Sequence, residues 1–229
     1  MAAIAVYSDI ACPWAHVAVA RLHRVRAELG LEGQVQFDHR AFPLEVFNER
    51  PTPFNVLAAE VPVAGALEPD AGWQVWQGPA GTWPVTTLPA LELVQAAKSV
   101  LGVEAAERID RALRVAMFGE SRCISLRHVL LDVAQSALGA EHGDAALDAL
   151  REAFDSGAAR SAVLDQCETA RTSARVKGSP HLFLPDGTDV HNPGIDLHWV
   201  GEHGTGFPVV DQDDPDVYKR LLEVAASAS

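Results

Sequence analysis

The sequence predicts an α/β chain in which a β-α-β opening and a β-β-α ending bracket an all-helical insertion. Three observations carry this reading. A short β-prone run at residues 3–9 leads directly into Cys12-Pro13 and a one-faced helical pattern; an alternating segment follows from Val35 to Phe42; and strand patterning returns at His181 after a long helical stretch. At 229 residues and 48% hydrophobic, the chain is long enough to bury a full core without disulfide staples.

Each element has its own local reason. Residues 3–9 (Ala-Ile-Ala-Val-Tyr-Ser-Asp) form the first strand, and Pro13 suits the first position of the helix after it. Trp14, Ala18, Leu22, Val25 and Leu29 lie on one helical face, with Arg21, Arg24 and Glu28 on others and Gly30 as the stop. In the second strand Val35, Phe37, His39 and Ala41 alternate with Gln36, Asp38 and Arg40. Residues 44–85 carry six prolines (Pro51, Pro53, Pro62, Pro69, Pro79 and Pro84) and no sustained period, so they read as a long functional loop. From Thr86 to about Arg171 the apolar spacing predicts four or five helices, with faces such as Leu93/Ala97/Val100 and Ile109/Leu113/Ala116. His181 to Leu184, the turn Pro185-Asp186-Gly187, and Thr188 to Asn192 make a hairpin signature, and Asp214-Pro215 starts a closing helix. The expected organisation is residues 1–50 as the first part of the α/β unit, 51–172 as long loop plus insertion, and 173–229 as the second part.

Composition narrows the function. The 31 acidic against 18 basic residues give a formal charge of −13, which repels phosphate backbones and anionic lipid surfaces and argues against nucleic-acid or membrane partners. The first nine residues lack a basic region, and no run of 18 apolar residues occurs, so neither a signal peptide nor a membrane span is expected and the cytoplasm is the predicted compartment. Few lysines beside many arginines and alanines fit a GC-rich bacterial genome, and the apolar-rich composition admits a homodimer. Cys12, Cys123 and Cys167 are too sparse for a disulfide framework; the latter two fall on predicted insertion helices and read as small core residues. His181, His191, His198 and His203 lack zinc-site spacing, so no metal is expected. Gly201-Glu202-His203-Gly204-Thr205-Gly206 matches no phosphate-binding pattern and reads as a loop.

Cys12 is the residue with chemistry. At a strand-to-helix junction its sulfur faces the unpaired amides and positive dipole end of a helix, a placement that lowers a thiol pKa and stabilises the nucleophilic thiolate. His16, four residues on, shares that helix face, and as an imidazolium it would lower the thiol pKa further. Pro13 and Trp14 are expected to line the groove beside the thiol. Trp73, Trp76 and Trp83 either wall an apolar pocket or pin the long loop.

Ser8-Asp9-Ile10-Ala11-Cys12-Pro13-Trp14-Ala15 resembles the active-site opening of DsbA-like oxidoreductases, particularly the FrnE-like subgroup with Cys-Pro-Trp-Cys, and Val176-Lys177-Gly178-Ser179-Pro180-His181-Leu182-Phe183 is similar to that family's cis-proline segment. The resemblance covers essentially the whole chain and implies a thioredoxin-like fold with an inserted all-helical domain. It also implies that Cys12 attacks sulfur, that Pro180 is cis, and that Ser179 offers main-chain hydrogen bonds to a substrate. Ala15 departs from the pattern, standing where the resolving cysteine belongs. The leading expectation is therefore single-thiol disulfide exchange completed by an external low-molecular-weight thiol such as glutathione, with no tightly bound cofactor. The alternatives are a thiol-cofactor-dependent isomerase or transferase related to 2-hydroxychromene-2-carboxylate isomerases, and a redox-silent binding module.

Overall fold

A computed structural model of the chain describes residues 1–139, 142–173 and 175–228. Strand β1 (Ala2–Ser8) enters helix α1 (Pro13–Glu28) and returns as β2 (Val35–Ala41), parallel to β1. Cys12 is the extended N-cap of α1 with Pro13 at its start, and Gly30 at φ 64° ends the segment as the pattern requires. The insertion helices are α4 (Leu88–Leu101), α5 (Val103–Phe118), α6 (Arg127–Leu138), α7 (Gly143–Asp155) and α8 (Ala158–Thr172). Strands β3 (His181–Phe183) and β4 (Asp189–His191) complete a four-stranded sheet of order β2-β1-β3-β4, and α9 (Val217–Ser227) packs beside α1.

Three expectations are corrected. The proline-rich stretch is not one loop, because α2 (Leu44–Phe47) and a full helix α3 (Phe54–Leu67) lie within it. Helix α3 hides its period: Phe54, Val56, Leu57, Val61, Val63 and Leu67 leave little polar face, and Pro62 sits inside the helix. Second, residues 195–213 form an additional antiparallel ribbon, β5 (Ile195–Val200) with β6 (Phe207–Asp213), bulged between Asp196 and Leu197. The glycine-spaced stretch is the connection between these strands, where Gly204 takes φ 90° and its carbonyl accepts a hydrogen bond from the Asn55 side chain. Third, Cys123 lies in the α5–α6 connection and not on a helix, while Cys167 is buried on α8.

Two large apolar cores form, one between the sheet and helices α1 and α9 and one inside the insertion. Ile4, Val6, Leu22, Phe37 and Leu182 pack with Tyr218 and Leu222 of α9, while Leu93, Ile109, Leu113, Leu130 and Val163 fill the interior of the insertion. Buried polar groups join the layers. Arg114 on α5 is fully buried; it pairs with Asp110 at 2.7 Å and donates to Ser8 Oγ at 2.7 Å and the Asp9 carbonyl at 2.9 Å. Arg21, on the α1 face read as polar, is also buried and bridges Glu68 at the end of α3 to Asp213 of β6. The outer edge of β2 is occupied by side chains: Glu107 accepts from the Phe37 amide, Gln166 accepts from the Ala41 amide, Gln95 and Lys98 donate to the His39 carbonyl, and Arg26 donates to the Val35 carbonyl.

Candidate active site

Strand β1 and helix α1 set the site by delivering Cys12 to the junction between them, against the segment before β3. The Ser179–Pro180 peptide is cis, and the Cys12 thiol donates to the Ser179 carbonyl at 3.2 Å. Ser179 Oγ accepts from the Asp9 amide at 2.9 Å, which ties the proline segment to the thiol loop. The Asp9 carboxylate accepts from the Ala11 amide at 2.9 Å, the Leu44 amide at 2.6 Å and Thr87 Oγ1 at 3.2 Å. Burial still pushes its carboxyl up to about 6.

Beside the thiol is a cavity of about 210 Å³ lined by Cys12, Pro13, Trp14, Arg50, Glu60 and Ser179, with Asn48 and His203 among its other walls. Trp14 is part of this lining, and its indole N–H donates to Glu60 Oε1 at 3.1 Å. Glu60 was not legible as a site residue. It is buried at 8% exposure, and burial raises its carboxyl to about 7 against the favourable indole contact. A single acid inside the apolar run Phe54–Leu67 was the available signal.

The thiol itself differs from expectation. Burial pushes Cys12 up to about 12, and the negative charges of Glu60 and Asp9 act in the same direction, against a lowering contribution from Ser179 and a smaller one from the Ala15 amide at the helix start. A carbonyl can only accept, so the Ser179 contact requires the thiol to hold its proton. Desolvation thus outweighs the helix terminus, and the resting state is a thiol.

His16 is displaced from its expected role as well. Its Nε2 faces the Ala71 carbonyl at 3.1 Å and its ring stacks on Phe118 at 5.2 Å beside Trp73 at 4.4 Å, so its partners lie away from the sulfur. Burial, with Arg114 nearby, lowers its pKa to about 4, so it is neutral at pH 7 and does not supply an imidazolium. The linkage has a definite sign. The unfolded chain takes up this proton near 6.5 and the folded one only near 4, so the His16 contribution to stability falls as pH drops through that window. In His16→Gln the unfolding free energy is expected to vary less steeply with pH between those limits, as read by urea titrations.

Trp73 pins its segment by donating to the Glu68 carbonyl at 2.9 Å, whereas Trp76, Trp83 and Phe54 line a small apolar pocket further along α3. Cys12, Cys123 and Cys167 are all free thiols. Among the described residues no group of His, Cys, Asp and Glu could hold a metal ion, and no helix is long and apolar enough to cross a membrane.

Comparison with known proteins agrees with this architecture. The DSBA-like thioredoxin domain model matches residues 3–203. No curated protein sequence matches the chain. Among solved structures, the cytosolic disulfide reductase DsbM from Pseudomonas aeruginosa, with GSH, aligns at TM-score 0.66 and 16% identity over 96% of this chain and 97% of its own. A probable DsbA oxidoreductase from Streptomyces coelicolor aligns at 0.64 and 19% identity over 100% and 92%. A 2-hydroxychromene-2-carboxylate isomerase aligns at 0.56 and 18% identity over 82% and 87%. At such identities these structures share the fold with the chain. With the cis-proline facing the Cys12 thiol and a family match over nearly its whole length, the chain belongs to the DSBA-like thioredoxin domain family.

Proposed function

We propose that this protein exchanges thiols and disulfides through Cys12 alone, with a small external thiol completing turnover. The observation that carries this reading is the placement of Cys12 on the wall of a polar-rimmed cavity, opposite the cis-Pro180 segment, with Ala15 one turn along the helix where a second thiol would resolve the mixed disulfide. Cys12 loses its proton and attacks a disulfide; a Cys12–substrate disulfide forms and one substrate thiol leaves. A second small thiol, of the glutathione type, then attacks that mixed disulfide and returns Cys12 to the reduced form. Arg50, Asn48 and His203 give the cavity rim the polar groups that a peptidic thiol needs. The reduced thiol pool of the cytoplasm suits such turnover, and the likeness to a cytosolic disulfide reductase solved with GSH supports the thiol class.

A protonated Cys12 favours a second reading, in which its S–H only orients a bound thiol cofactor for isomerase or transferase chemistry, in line with the isomerase fold neighbour. Alkylation and adduct formation decide between them, measured by intact mass in a Cys123→Ala, Cys167→Ala background. On exchange with glutathione disulfide, one glutathione is expected on Cys12. Alkylation is expected to keep accelerating above the ordinary thiol midpoint of about 8.5. Absence of an adduct at every pH, with saturable thiol binding retained, would instead establish the cofactor reading.

A further inference from the structure

Glu60 has a place in the site that the thiol chemistry above leaves unused. The residue is more than nine-tenths buried, lines the same cavity as Cys12, and has one carboxylate oxygen held by the Trp14 indole N–H at 3.1 Å. Among the described residues no cation pairs with it; what shifts its titration is burial, opposed by that single indole contact. Buried carboxylates are ordinarily paired or bonded several times over, so an acid left this bare in a cavity needs a use there. The neighbouring titratable groups are otherwise engaged or peripheral. Arg21 of α1 is committed to Glu68 and Asp213, Asp9 to backbone amides and Thr87, and Arg50 and His203 stand on the cavity rim.

We infer that Glu60 is the general base of this site, taking the Cys12 proton as the thiol attacks a disulfide and returning it to the departing thiolate. The inference rests on the exchange reading above. The transfer balances: Cys12 S–H and the Glu60 carboxylate give a sulfur–sulfur bond to the substrate and a protonated Glu60, the substrate disulfide breaks, and its leaving thiolate takes the proton back. No other oxidant is needed. A thiol held neutral by burial gains most from such a partner, and a carboxyl whose midpoint is near 7 is matched to operate at neutral pH.

The test uses the full chain, glutathione disulfide as probe, and the rate of Cys12 adduct formation from pH 5 to 9. A base and a mere charge have opposite signs. As a base, Glu60→Gln, which keeps an acceptor for the Trp14 indole, slows adduct formation by about 10²-fold at pH 8 and removes an inflection near 7. As a bystander charge it raises the thiol pKa, so its neutralisation would speed the reaction and overturn the inference. Trp14→Phe removes the indole donor that favours the carboxylate, so the inflection moves upward in pH; an unmoved inflection counts against Glu60 as its source. A wild-type protein that forms no adduct overturns the exchange reading itself, whereas an adduct whose rate ignores Glu60 overturns only this assignment.

Discussion

Replacing Arg114 with alanine is expected to lower the unfolding free energy by about 3–5 kcal/mol. The guanidinium is fully buried and holds Asp110 through two of its nitrogens while donating to Ser8 Oγ and the Asp9 carbonyl. Its removal leaves Asp110 as an uncompensated charge in the core, beside the buried imidazoles of His39, at 3.4 Å, and His23, both lowered in pKa by burial. Ser8 and the Asp9 carbonyl would lose their donors at the base of the thiol loop. Urea unfolding monitored by tryptophan fluorescence measures the loss. The double change Arg114→Met with Asp110→Leu is expected to recover much of it, because a buried pair replaced by apolar groups of similar size leaves no orphan charge. A double variant as unstable as the single would show that the lost contacts to Ser8 Oγ and the Asp9 carbonyl, and not the stranded carboxylate, dominate.

Changing Cys12 to serine is expected to reduce disulfide exchange to the uncatalysed background. Neither remaining cysteine is placed to substitute: Cys167 is buried on α8, and Cys123 lies between α5 and α6. Serine can still donate to the Ser179 carbonyl, so stability should stay within about 1 kcal/mol of wild type. Loss of exchange with an unchanged unfolding curve assigns the chemistry to the sulfur. Should Cys12→Ser keep full activity toward a substrate, the thiol would be a hydrogen-bond donor and the isomerase or transferase reading would replace exchange.

Local pattern carried the outer parts of the fold. The first three elements, the β3–β4 hairpin and an insertion of four or five helices, where the structure has five, are legible in periods and turn residues that reflect their immediate surroundings. Helix α3 did not, because an almost wholly apolar segment with an internal proline has no face for periodicity to reveal. Strand β5 does alternate, as Ile195, Leu197 and Trp199 against Asp196, His198 and Val200, but its partner β6 carries Pro208 and three polar residues at its end, which concealed the pairing. The thiol and the cis-proline could be found from sequence since each sits in a contiguous motif. Glu60 could not, as it reaches the site only through a helix the pattern concealed. The burial of the thiol is hidden for a different reason: a helix terminus is visible in sequence, whereas how deeply the packing around it excludes water is not.

The side chains along the outer edge of β2 also bear on how this protein meets other copies of itself. An unpaired strand edge is a template on which a second chain can add a strand, and here Val35, Phe37, His39 and Ala41 each have an outward backbone group already bonded to Arg26, Glu107, Gln95 and Lys98, or Gln166. A newcomer would have to break this set of contacts, several of them from the helices of the insertion, before forming its first ladder bond. The insertion thus acts as a guard against aggregation as well as a wall of the core. A partly unfolded chain whose helices have come away would present an adhesive strand that the intact protein keeps covered.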